Sequence, residues 1–224
     1  DATPADIPTT GLQKVCLILI NNYEHDKHDP KIGPMNDGYL IGLKHHRLGY
    51  KIFYLYNPKC EEFITYLEFF LARTEQSLTV FYTGRDSDMS GNHGIEFVDD
   101  KLSKYSINSI FERNCNENLR VLLLTDCISG GSVFDIQSID HQNHTKPLNI
   151  ISFSVNKNDV KGDAEIGKRS HGILTFYFCK ITSDNPSISP AHLADRMNPS
   201  LKRFCETFHI ETTNQDLVKS PIFM

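Results

Sequence analysis

The stretch Val121-Leu122-Leu123-Leu124-Thr125-Asp126-Cys127-Ile128-Ser129-Gly130-Gly131-Ser132 runs from a short apolar block into a Gly/Ser turn. The block is too short for a core helix, and being apolar on both faces it suits a strand of a parallel sheet covered on both sides. Four further runs read the same way: Lys14 to Ile20, Lys51 to Tyr56, Leu78 to Tyr82 and Ile150 to Ser154, all rich in β-branched, aromatic or aliphatic residues. Between the runs lie segments with helical spacing, Asp37 to Arg47, Cys60 to Arg73 and Ile107 to Glu112. This alternation predicts right-handed crossovers and a doubly wound α/β sheet. Beyond the fifth run, Asn156 to Ser170 is polar and reads as an exposed loop, while His171 to Lys180 and Pro190 to Phe208 read as helices. The tail Ser220 to Met224 ends apolar, as a docked edge strand would. Residues 1–13 read as a polar leader, and 14–224 as a single domain.

Hydrophobic residues make up 39% of the 224-residue chain, with 14 Phe and 9 Tyr, enough to fill a sizeable core and to exclude disorder as the main state. The formal charge is 23 − 28 = −5, the wrong sign for neutralising phosphates, so nucleic acid is not an expected partner. No apolar run approaches the ~20 residues that cross a bilayer, and no membrane partner is expected. The chain opens on Asp1, as a processed or trimmed product would. Its six cysteines lack paired spacing, and Cys16 and Cys179 sit inside apolar runs, which points to a reducing, cytoplasmic compartment.

Ligands of a doubly wound sheet gather at the carboxyl ends of its strands. Two such ends are unusual: Phe81-Tyr82-Thr83-Gly84-Arg85-Asp86 and Thr125-Asp126-Cys127-Ile128-Ser129. A cysteine between a strand and a turn that opens a helix would feel free amides and the helix dipole, which favour thiolate and supply an oxyanion hole. Position alone leaves two readings of Cys127, a nucleophile or a small residue filling a tight turn. A phosphatase-type cradle would need an arginine soon after the cysteine, where Val133 and Phe134 stand. Neither G-x-G-x-x-G after a strand nor G-x-x-x-x-G-K-[ST] occurs, so nucleotide binding has no support. The pairs His25/His28, His45/His46 and His141/His144 lack partners at tight metal spacing and read as surface histidines rather than a zinc site.

The order of these segments resembles that of the caspase-fold peptidases, and within them most closely the metacaspases. Gly33-Pro34-Met35-Asn36-Asp37 stands where the family has Gly-Cys-x-Asn-Asp, and Tyr82-Thr83-Gly84-Arg85 where it has Tyr-Ser-Gly-His. Asp126-Cys127-Ile128-Ser129-Gly130 corresponds to Ser/Cys-Cys-His-Ser-Gly, and His171-Gly172-Ile173-Leu174-Thr175 to a small-residue-Gly-Leu-Thr helix start. The resemblance spans most of the chain from Lys14 onward. It implies a caspase-like three-layer α/β/α sandwich with a mostly parallel sheet, and a cysteine endopeptidase that cuts after Arg or Lys with Cys127 as nucleophile.

Two departures qualify that activity. The family's general base, a histidine, falls on Arg85, and one of two acids that would hold a basic substrate side chain falls on Thr125. The other acid matches Asp37; Thr83 and Asp126 flank the same substrate-binding positions. A guanidinium with a pKa above ~12 neither accepts the thiol proton nor returns one to a leaving amine, so Arg85 acts only as a fixed charge. Loss of general acid–base catalysis removes roughly 10²–10⁴ in rate, and more where the groups act as a unit. A cation near the sulfur would still favour thiolate. The expected protein is therefore a pseudopeptidase that binds peptides, proteins or an active relative. The alternative is an active endopeptidase with His93, eight residues past Arg85, or another group as base; a histidine in a Gly/Asn turn is also simply an exposed turn residue.

No cofactor is required by this chemistry. Many metacaspases are activated by calcium, and Asp99, Asp100 and Asp135 stand at comparable places, with Asp86 and Asp88 nearby; the same acids also read as a solvated surface. The loop carrying Lys157, Lys161, Lys168 and Arg169 has the composition of a cleavage site.

Overall fold

The computed structural model describes residues 4–8, 10–22, 33–87, 93–127, 133–139, 148–157, 164–166, 169–204 and 206–224. The five apolar runs are strands: β1 (Lys14–Ile20), β2 (Lys51–Tyr56), β3 (Ser77–Thr83), β7 (Arg120–Asp126) and β8 (Asn149–Lys157). All five run parallel, and β11 (Glu206–Thr212) joins antiparallel beside β8, giving the order β11-β8-β7-β3-β1-β2. From β1 the chain moves outward to β2 on one side and returns to β3 on the other, so the strand order reverses at β1 and opens a crevice at the carboxyl ends of β1 and β3.

Side chains alternate across the sheet and fill two cores. Val15, Leu17, Val80, Leu123 and Ile150 pack against α2 (Cys60–Arg73) and α3 (Lys104–Asn114) on one face. Cys16, Ile18, Phe81, Leu124 and Phe153 pack against α1 (Gly33–Arg47), α4 (Ile173–Asp184) and α5 (Pro190–Leu201) on the other. The result is a three-layer α/β sandwich. Caps suit local sequence: Ser103 accepts from the Ser106 amide at the start of α3, and Ser189 precedes Pro190 at the first position of α5.

Several boundaries differ from those the sequence predicts. The helix expected to reach Phe208 ends at Leu201, and the chain then enters β11, whose Phe208 is buried against Phe153 with ring centroids 5.4 Å apart. The tail is not a sheet strand: the Ile222 amide donates to Ile188 O (3.0 Å), and Ile222 and Phe223 are buried in the second core. Within the expected loop 156–170, β8 continues to Lys157, and β9 (Ala164–Ile166) pairs antiparallel with β10 (Arg169–His171). The rest of that loop, with Lys161 and Lys168, lies outside the described residues. Ile7 and Leu12 of the leader are buried in the first core. Three short strands, β4 (Asp86–Ser87), β5 (Gly94–Glu96) and β6 (Lys101–Ser103), form a separate small sheet after β3. No helix among the described residues is long and apolar enough to cross a membrane.

Candidate functional site

Parallel register sets the two unusual strand ends side by side. Thr83, the last residue of β3, is opposite Asp126, the last of β7, so Arg85 and Cys127 leave adjacent strands within two residues of paired positions. The Cys127 side chain is 3% exposed, in the core shared with α2 and α3. Asp126, one residue earlier, projects to the opposite face, as strand alternation requires. The Arg85 backbone is held from two directions: its carbonyl accepts from the Tyr82 hydroxyl and from the Glu96 amide (3.3 Å). The Tyr82 hydroxyl closes over Gly84, where a Cβ would come within 2.7 Å of it, so this turn requires glycine.

The N-terminus of α4 gathers the carboxylates. Asp126 Oδ2 accepts from the Thr175 amide (2.8 Å) and the Thr175 hydroxyl (2.7 Å), which caps the third helical position. Asp37, in α1, accepts from the Gly172 amide through Oδ2 (2.8 Å) and lies 3.1 Å from His171 Nδ1 through Oδ1. Two anions at one helix start complement its dipole. Gly172 is needed for the close approach, because a Cβ there would sit 2.1 Å from Asp126 Oδ2. The four substrate-binding candidates are closed to solvent: Asp37, Thr83, Thr125 and Asp126 are 1%, 3%, 0% and 5% exposed. Thr125 Oγ1 is buried with no hydrogen-bond partner among the described residues.

The other candidates stand elsewhere. His93 precedes β5 in the small sheet, with Nδ1 3.7 Å from Asp86 Oδ2 and its carbonyl accepting from the Lys104 amide (2.9 Å). Asp99 Oδ1 accepts from the Cys60 amide (3.0 Å) at the start of α2, and Asp100 Oδ1 from the Lys101 amide (2.8 Å). Asp135 pairs with Lys104 (3.2 Å) beside α3. Among the described residues no three His, Cys, Asp or Glu side chains form a set that would hold a metal ion. Asp88, Ile128 to Ser132, His25, His28, His141 and His144 lie outside the described residues. His45, expected at the surface, is instead fully buried.

Sequence reasoning missed the Asp37–His171 pair. Its partners are 134 residues apart, and His171 is visible in the sequence only as the residue before a helix start. Nothing in linear spacing announces it.

No family profile and no curated protein sequence matches this chain. Solved structures do. A Geobacter sulfurreducens protein superposes with a TM-score of 0.69 at 11% identity, over 95% of this chain and 98% of that one. The Drosophila initiator caspase Dronc superposes with a TM-score of 0.69 at 15% identity, over 95% of this chain and 85% of that one. The chain thus has an α/β fold like that of caspases.

Proposed function

We propose that this chain is a metacaspase-like pseudopeptidase, a binding or regulatory protein that keeps the cysteine position of the caspase-like fold without its proton carrier. The observation that carries this reading is the adjacency of the β3 and β7 ends, which brings a permanent cation, Arg85, to the strand next to Cys127. Amide scission needs a group that takes the thiol proton and protonates the departing amine, and a guanidinium does neither. Burial of Asp37 and Asp126, both engaged at α4, adds a second obstacle: a basic substrate side chain would have to move the helix start to reach them. The described cysteines Cys16, Cys60, Cys115, Cys127 and Cys179 form no disulfide with one another, which supports a reducing, cytoplasmic setting.

Peptide reporters ending in Arg or Lys test the proposal, assayed with and without calcium. Expected is no turnover above that of Cys127→Ala; robust hydrolysis that disappears in Cys127→Ala overturns the proposal. Arg85→His is expected to restore measurable turnover, on the order of the 10²–10⁴ that acid–base catalysis contributes. A second reading, an active endopeptidase with His93 as base, draws on the Asp86 carboxylate 3.7 Å from its ring. Cys127-dependent activity lost in His93→Ala would establish it.

A further inference from the structure

Lys44 lies on α1 two turns beyond Asp37, is 8% exposed, and has no carboxylate partner among the described residues. Among the described residues its ammonium makes one hydrogen bond, at the outer limit of 3.5 Å, to the Ser183 hydroxyl of α4, and sits 5.1 Å from the centre of the Phe223 ring. Burying an ammonium without a counter-charge is costly, and such groups are normally paired. No neighbour among the described residues supplies the charge. Burial pushes the Cys179 thiol up to about 12, so it stays neutral, and the Cys179 carbonyl is already taken by the Ser183 hydroxyl (2.7 Å). Arg47, one turn on, adds a second positive charge.

The same lysine lines a half-open cavity of about 240 Å³ between the C-terminal halves of α1 and α4. Leu40, Leu43, Leu48 and Pro186 make its apolar wall, and Lys44, Arg47 and Ser183 its polar side. It lies at the far end of α1 and α4 from Asp37 and Gly172, away from the β3 and β7 ends.

We propose that this cavity binds a small amphipathic carboxylate, a monoanion whose head pairs with Lys44 and Arg47 and whose short aliphatic body lies against the leucines. A buried cation, a second cation at its rim and an adjoining apolar wall define that chemistry. A neutral alcohol of the same length would leave Lys44 unpaired, and an amine would repel it.

Saturation-transfer NMR on the whole chain with sodium hexanoate, hexanol and hexylammonium chloride tests this. Expected is hexanoate binding that weakens at least tenfold in Lys44→Met, with hexanol at least fivefold weaker and hexylammonium silent. Leu43→Trp, on the apolar wall, is expected to fill the cavity and abolish binding while the Ser183 hydroxyl stays in place beside the Lys44 ammonium. Equal binding of hexanol, any binding of hexylammonium, no transfer from hexanoate at 10 mM, or unchanged hexanoate binding in either variant overturns the proposal.

Discussion

The two ends of helix α1 handle buried polar groups in opposite ways. At the first turn, Asp37 has both carboxylate oxygens matched, to His171 and to the Gly172 amide, and Asp126 completes the cluster through Thr175. At the last turns, Lys44 has one long hydrogen bond, and His45 donates through Nδ1 to Ile41 O (2.9 Å) while its Nε2 is buried without a partner among the described residues. The first end is a matched network, and matched networks hold one geometry because each partner is costly to leave unpaired. The second end tolerates its groups by keeping one neutral and leaving the other beside an open cavity. Position along one helix thus separates a rigid support under the strand ends from a region open to charge regulation.

The largest expected effect breaks the matched end. Asp37→Ala removes the carboxylate that holds His171 Nδ1 and the buried Gly172 amide, and should cost about 3–5 kcal/mol in urea unfolding. A loss below about 1 kcal/mol would remove the distinction between the two ends.

At the other end the expected signature is a pH dependence. Burial lowers His45 from its ordinary value of 6.5 to about 4. Between those values the unfolded chain binds more protons than the folded one, so stability is complete above about pH 6.5 and is lost as pH falls toward 4. Comparing urea stability at pH 7 and pH 4.5, the parent should lose about 2–3 kcal/mol that His45→Phe keeps. Parallel pH profiles for the two proteins would show that the ring is not held neutral.

Gly172→Ala probes how tightly the matched end is closed. The added methyl meets the Asp126 carboxylate, and a loss of about 2 kcal/mol is expected. In the Asp126→Ala background the same change should cost less than half as much, a coupling that a double-mutant cycle measures. The smallest effect is expected at Thr125, whose hydroxyl lacks a partner beside an otherwise matched network. Thr125→Val should be neutral or stabilising by up to about 1 kcal/mol in thermal unfolding, and a clear destabilisation would mean that the hydroxyl is used.

Much of the fold is legible in the chain because the central strands are covered on both faces. Leu17 and Ile18, or Leu123 and Leu124, point to opposite cores, so each run has to be continuously apolar whatever its neighbours are. The edge strand β11 is less legible. Its Thr207-Phe208-His209-Ile210 alternation comes only a short 3-10 turn (Lys202–Phe204) after an amphipathic helix, and the two patterns merge in a sequence window. His45 went unread for a related reason: a lone histidine beside Lys44 and His46 has the local look of a solvated helix end, and only Tyr50 and Phe223, packed edge-on at 5.0 and 5.4 Å, make it a core residue.

The candidate site divides along the same line. Arg85 and Cys127 can be placed from the chain because each directly follows an apolar strand, and parallel strands deliver their carboxyl ends to one edge of the sheet. The roles of Asp37, Asp126 and His171 cannot, since a polar side chain is defined by the partner that reaches it, and those partners lie 49 to 135 residues away on other elements. Hydrophobic burial depends on a residue's own surface and leaves a local periodic trace, so the sequence by itself determined the layers and strand ends. Hydrogen bonds and ion pairs act over about 3 Å between specific atoms, so only the tertiary structure decided which carboxylate faces which donor.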